Sequence, residues 1–154
     1  AAQPHIKKLF LKEKENGITN FRKVVNISST SGMFGNAGQI NYATAKAGVV
    51  GMAKTMAKEW GRYNVNVNAV GFGLIKTRLT DSDAEKEESL IDIEGNKIKV
   101  GVNSAVFQSA KTMIPLGRPG TPQEAAGAIY MFCIPESNYV TGQILMCHGG
   151  GFGY

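Results

Sequence analysis

A chain of 154 residues, 43% apolar and 19% charged, has the makeup of one globular domain able to bury a core, and its composition excludes a fibrous or low-complexity protein. The net charge of +5 is mild and gathers before residue 24, where Lys7, Lys8, Lys12, Lys14, Arg22 and Lys23 face only Glu13 and Glu15. Without interleaved aromatics or a known module this reads as a solvated helix face, not a nucleic-acid surface, although an acidic carrier or a phosphate-bearing cofactor would also suit it.

No apolar run reaches the length of a membrane span, and the first residues lack the apolar core of a secretory signal, so a cytoplasmic protein off the membrane is expected, with the mitochondrial matrix or another organelle left open. Cys133 and Cys147 lack the paired spacing of a metal site or redox dithiol and are expected to be reduced core thiols. No metal is expected.

In chain order, Ile6, Leu9, Phe10 and Leu11 among lysines predict an amphipathic helix over 5–15, ending near Gly17. Lys23–Ser28 is a short β-branched run, as in a buried parallel strand. A Ser- and Gly-rich loop over Ser29–Gln39 follows. Small and apolar residues then recur at helical spacing from Asn41 to Trp60, including Ala45, Val49, Met52, Ala53 and Met56. Val65–Val70 reads as a second strand broken by Gly71, Phe72 and Gly73. Residues 80–101 hold most of the acidic residues and are expected to be a solvated excursion. Thr121, Pro122 and Glu124 form the clearest helix start, with a capping box, for a helix to about Phe132. Gln143–Cys147 is a third strand candidate, ended by Gly149, Gly150 and Gly151. Strands alternating with helices predict an α/β fold with a parallel sheet and right-handed crossovers.

Tyr42 and Lys46 are four apart on the long predicted helix and so emerge one turn apart on one face. Alone, such a pair is ordinary helix decoration. Ser29, however, stands at the end of the first strand, and strand ends in open parallel sheets are where ligands bind. A serine there, joined by a glycine-rich loop to the Tyr42 helix, can bring three polar groups to one crevice. A free tyrosine has a pKa of about 10, and a nearby ammonium favours the phenolate, making the phenol a usable acid and base. Ser29 could fix a substrate oxygen by a hydrogen bond. The chemistry this suits is carbonyl reduction, in which the oxygen gains negative charge as hydride arrives and needs a proton.

The run Val24-Val25-Asn26-Ile27-Ser28-Ser29, followed by the string from Gly35 to Gly48 that contains Asn41-Tyr42-Ala43-Thr44-Ala45-Lys46, closely resembles the active-site segment of short-chain dehydrogenases/reductases, especially the 3-oxoacyl-[acyl-carrier-protein] reductase branch. The likeness runs from about residue 22 to the C-terminus. It implies a Rossmann-like, doubly wound parallel sheet, of which this sequence is the C-terminal half, and an oxidoreductase using NADP or NAD to reduce a ketone, such as the 3-oxoacyl thioester of fatty acid biosynthesis. A steroid, sugar or xenobiotic alcohol remains open as substrate, as does a non-catalytic partner subunit. By resemblance Tyr42 donates the proton, Lys46 tunes it and holds the nicotinamide ribose, and Ser29 orients the carbonyl. Gly73, Ile75 and Thr77 match the segment that contacts the nicotinamide, Ile75 by its backbone and Thr77 by its hydroxyl. Residues 80–116 would cover the substrate, and a homo-oligomer, dimer or tetramer, is expected.

Two positions depart from the family pattern. Phe72 stands where proline usually precedes the glycine of the nicotinamide loop, and His148 stands where an acidic residue commonly precedes the closing glycines. The glycine-rich dinucleotide fingerprint is not in this sequence, nor are the adenine pocket and a fourth catalytic asparagine that the family places upstream. These 154 residues are therefore expected to be part of a chain of roughly 250 residues and, by themselves, not to bind the cofactor.

Overall fold

The structure is a computed structural model, and it describes residues 2–77, 90–93, 96–99, 109–110 and 112–151. Helix α1 spans Gln3–Glu15 and strand β1 Arg22–Ser29. They are followed by a short helix α2, Thr30–Phe34, and the long helix α3, Ile40–Trp60. Strand β2 is Val65–Phe72, β3 is Leu90–Ile93 and β4 is Asn96–Lys99. Helix α4, Pro122–Tyr130, and strand β5, Ile144–Cys147, close the order. No helix of the described residues is long and apolar enough to cross a membrane.

The three strands β1, β2 and β5 form one parallel sheet in that spatial order, with β2 in the middle. Because side chains alternate across a strand, β2 feeds two cores at once. Val65, Val67 and Ala69 pack against Ala53 and Ala57 of α3, while Val70 packs on the other face against Ala128 of α4 and Phe132 beyond it. This continuous apolar β-branched run is what a strand covered on both faces requires.

The strands advance across the sheet in one direction, yet α3 and α4 lie on opposite faces. The two crossovers therefore have opposite hands, which corrects the expectation that both are right-handed. With α3 already filling the face above β1 and β2, the connection through α4 returns on the other side.

The even-numbered positions of β2 also hold two buried asparagines. Asn68 donates through Nδ2 to the Val140 carbonyl at 3.0 Å and accepts from the Gln143 N–H at 3.0 Å, and Asn66 donates to the Asn138 carbonyl at 3.0 Å. With Thr141 Oγ1 accepting from the Val67 N–H at 3.0 Å, they fasten the segment that leads into β5.

Several expectations change. β1 is half-buried, with Ile27 39% exposed, because among the described residues it is an outer strand. On α3 the buried stripe is Val50, Ala53 and Ala57, with Met56 and Trp60 packed beside it, while Ala45 and Met52 face out. α1 is a surface helix whose Ile6 and Phe10 are half-buried and whose Leu9 and Leu11 are exposed. Cys133 is no core thiol: it sits exposed in the turn after α4. Cys147 is half-buried on β5, and burial pushes its thiol pKa up. β2 runs on through Phe72, which pairs with Ser29 and Cys147, rather than breaking at Gly71. Of the excursion over 80–101, the β3–β4 antiparallel hairpin is described and the rest lies outside the described residues.

Candidate active site

The site lies at the C-terminal ends of β1 and β2. Ser29, the last residue of β1, caps α2: its Oγ accepts from the Ser31 N–H at 3.2 Å. A hydroxyl that accepts there can still donate its own proton to a ligand. α2, which the sequence suggested was plain loop, is too short to carry a periodic signal, and one glycine seats it. A β-carbon built on Gly32 would stand 2.7 Å from Lys46 Cβ and 2.8 Å from the Ala47 nitrogen, so only glycine lets α2 approach α3 this closely. Ser28, behind Ser29, donates through Oγ to the Lys46 carbonyl at 2.8 Å. These two ties fix the start of α3 against the end of β1.

Tyr42 is on the first turn of α3 and is 44% exposed. Lys46, one turn on, donates through Nζ to the Ile27 carbonyl at 3.0 Å and lies 5.7 Å from the centre of the Tyr42 ring. The ammonium is thus anchored on β1 beneath the phenol. A cavity of about 870 Å³ opens in front of this group. Its lining includes Ser29 and Tyr42, together with Gly73, Ile75 and Thr77 from the segment after β2. Of the site residues expected from sequence, Lys46 alone stands outside that lining.

Gly73 also has a packing reason for its identity: a β-carbon there would stand 2.7 Å from His148 Cβ and 3.0 Å from its Cα. The Gly73 N–H donates to the Cys147 carbonyl at 3.0 Å, carrying the ladder one residue past β2. Phe72, in the place of the family proline, lines the cavity.

The sequence reading did not single out other residues of the lining. Asn36 Nδ2 and Ser31 Oγ both donate to Gln39 Oε1, at 3.0 and 2.9 Å, and all three reach the cavity. Met113 and Ile114, within the region expected to cover the substrate, contribute an apolar wall, and Pro122, Ala125, Ala126 and Ile129 of α4 form another. Gln39 could have been noticed as a polar residue just before the Tyr42 helix; the α4 wall leaves no mark in the sequence, because it depends on which face of the sheet α4 covers.

The family described as enoyl-(acyl carrier protein) reductase matches residues 8–151. The chain belongs to the short-chain dehydrogenase/reductase family. It is 42% identical over 127 residues to a 3-oxoacyl-[acyl-carrier-protein] reductase of Thermotoga maritima, a match covering 82% of this chain and 44% of the relative. The corresponding protein of Aquifex aeolicus is 38% identical over 84% of this chain and 45% of its own length, and that of Synechocystis 38% identical over 94% and 48%. The chain thus spans less than half the length of these curated relatives. Among solved structures it resembles a 4-hydroxyisoleucine dehydrogenase complexed with NADH, with a TM-score of 0.65 and 23% identity over 94% of this chain and 51% of the other, a likeness of fold. This short-chain dehydrogenase/reductase chain therefore has the Rossmann-like layering expected of it, with helices on both faces of a parallel sheet.

Proposed function

We propose that the protein containing this chain is an NADP- or NAD-dependent reductase that turns a ketone, best a 3-oxoacyl thioester, into a secondary alcohol. The observation that carries this reading is the shared cavity, which gathers Ser29, Tyr42, Gly73, Ile75 and Thr77, with the Lys46 ammonium 5.7 Å from the Tyr42 ring centre. The resemblance to 3-oxoacyl-[acyl-carrier-protein] reductases supports the substrate class.

The cavity fits the reacting half of a nicotinamide cofactor: it is large enough, and polar Ser29, Tyr42 and Thr77 share its lining with Gly73 and Ile75. Gly73, Ile75 and Thr77 would hold that half. When bound, the nicotinamide supplies the hydride. The chain's own residues do the rest. Ser29 orients the ketone oxygen by donating its O–H. Tyr42 Oη, on the same cavity, passes its proton to that oxygen as negative charge builds there. Lys46, held on the Ile27 carbonyl with its ammonium 5.7 Å from the Tyr42 ring centre, stabilises the negative charge left on the phenol, and by the family resemblance it would also hold the nicotinamide ribose. The apolar walls from Met113, Ile114 and α4 suit an acyl chain. Small and apolar residues on the outward side of α3, Gly48, Gly51 and Met52, support a homo-oligomer.

Replacing Tyr42 by Phe in the full-length protein tests the reading, with reduced nicotinamide consumption measured on an acetoacetyl thioester. Turnover should fall at least about 100-fold at an unchanged melting temperature. Turnover equal to the parent's would sink the assignment.

A further inference from the structure

The segment after β2 that carries Ile75 and Thr77 is outside regular structure, and what fixes it lies far along the chain. The Gly120 N–H donates to the Leu74 carbonyl at 3.0 Å and the Lys76 N–H donates to the Gly120 carbonyl at 2.8 Å, so Ile75 and Gly120 form a parallel bridge. Gly120 belongs to the approach to α4, and a single carboxylate grips both of its sides. Glu124 Oε1 accepts from Arg118 Nη2 at 2.6 Å, while Oε2 accepts from Arg118 Nη1 at 2.8 Å and from the Thr121 N–H at 2.8 Å. Arg118 also donates to the Pro119 carbonyl at 3.1 Å.

A capping box needs only the Thr121 part of this arrangement. The bidentate arginine adds a second fixed point, so residues 118 to 121 are held as one rigid strap with Gly120 at its centre. The fit against the loop is close: a β-carbon on Gly120 would stand 2.7 Å from Ile75 Cδ1. The Arg118–Glu124 pair is about half exposed, with side chains 52% and 46% accessible. A pair so placed adds little to overall stability. What it can do is fix local geometry beside the cavity, which Ile75, Thr77 and Pro122 all line.

We propose that Glu124 is a positioning residue for cofactor binding: clamped to Arg118 and Thr121, it holds Gly120 so that the Leu74–Lys76 segment keeps the shape the nicotinamide requires. This rests on the functional reading above. Fixing such a segment in advance lowers the cost of ordering it when the ligand arrives.

The experiment uses the full-length protein and three variants. Glu124→Gln keeps the side-chain length and an acceptor for Thr121 but removes the charge that holds Arg118; Arg118→Gln removes the partner; Thr121→Ala removes the side-chain cap alone. Expected are a roughly tenfold rise in cofactor KM for the first two, with kcat at saturation within about twofold and no further rise in the double variant, and for Thr121→Ala a lower melting temperature at unchanged cofactor KM. An unchanged KM in Glu124→Gln overturns the proposal, as does an equal rise in Thr121→Ala, which would reduce the effect to helix capping. Hydrogen exchange at the Lys76 amide reads the strap without cofactor: it should quicken at least about tenfold in Glu124→Gln, and unchanged exchange overturns the strap. A parent protein that binds no nicotinamide would defeat the functional reading separately, leaving the exchange result to decide whether the strap exists.

Discussion

Gly32 rests directly on Lys46: with a β-carbon it would meet the Cβ of that lysine at 2.7 Å and the peptide that follows it. Since Lys46 is backed by Ser28 and reaches the Ile27 carbonyl, the glycine joins the end of β1 to the helix bearing Tyr42. Gly32→Ala forces backbone against backbone, with no flexible end to yield. The variant of the full-length protein should be destabilised by about 1–3 kcal/mol in urea unfolding and lose turnover more than stability explains, because Ser29 and Tyr42 part. Parent-like stability would show that α2 can slide away freely.

Gly71 and Gly73 make a contrasting pair. A β-carbon at Gly71 meets Met146 Sδ at 2.8 Å and Cε at 3.0 Å, the adaptable end of a long side chain, whereas at Gly73 it meets His148 at Cβ and Cα. Gly71→Ala should cost less than about 1 kcal/mol and Gly73→Ala about 1–3 kcal/mol, with weakened cofactor binding in the second only. Paired denaturation and nicotinamide titrations would reveal a reversed order.

Asn68 carries a larger share of the fold than its polarity suggests. Asn68→Ala strands the Val140 carbonyl and the Gln143 N–H beside a fully packed strand, at a cost of about 2–4 kcal/mol. Asn68→Asp keeps the acceptor for Gln143 but cannot donate to Val140, and it adds a buried charge, so it should be no better. Chemical denaturation of both variants checks this; a loss under 1 kcal/mol would mean water replaces both bonds.

The Arg118 guanidinium, followed by the Thr121 backbone N–H, lowers the Glu124 pKa from 4.5 to about 2. A carboxyl whose folded pKa is depressed adds stability that is fully present above its unfolded value and disappears as pH falls through the folded one. Because the pair is half exposed and screened by solvent, the gap in melting temperature between parent and Glu124→Gln should be small, constant above pH 5, shrinking below 4.5 and closed near pH 2. A gap that persists at pH 2 would show that charge is not what Glu124 contributes.

Much of the site was legible because its signals are local. Tyr42 and Lys46 are tied by one helical turn, Ser29 by the end of a strand, and Thr121 to Glu124 by the three-residue reach of a capping box. Such relations are set by backbone geometry over a few residues and can be read along the chain. The buried stripe of α3 was half legible: Ala53, Met56 and Trp60 followed the pattern, but Ala45 and Met52 belong to a helix rich in small residues, where several faces look alike to periodicity.

The sequence by itself determined the family, the alternation of strands and helices, and the spacing that sets Tyr42 and Lys46 one helical turn apart on α3. Tertiary structure alone decided that α4 lies opposite α3, that Cys133 faces outward, that Asn68 fastens the approach to β5, and that Gly120 grips the segment bearing Ile75. The reason is physical: these outcomes depend on contacts between segments tens of residues apart, where packing and the pairing of buried polar groups choose among arrangements that local propensity leaves equal.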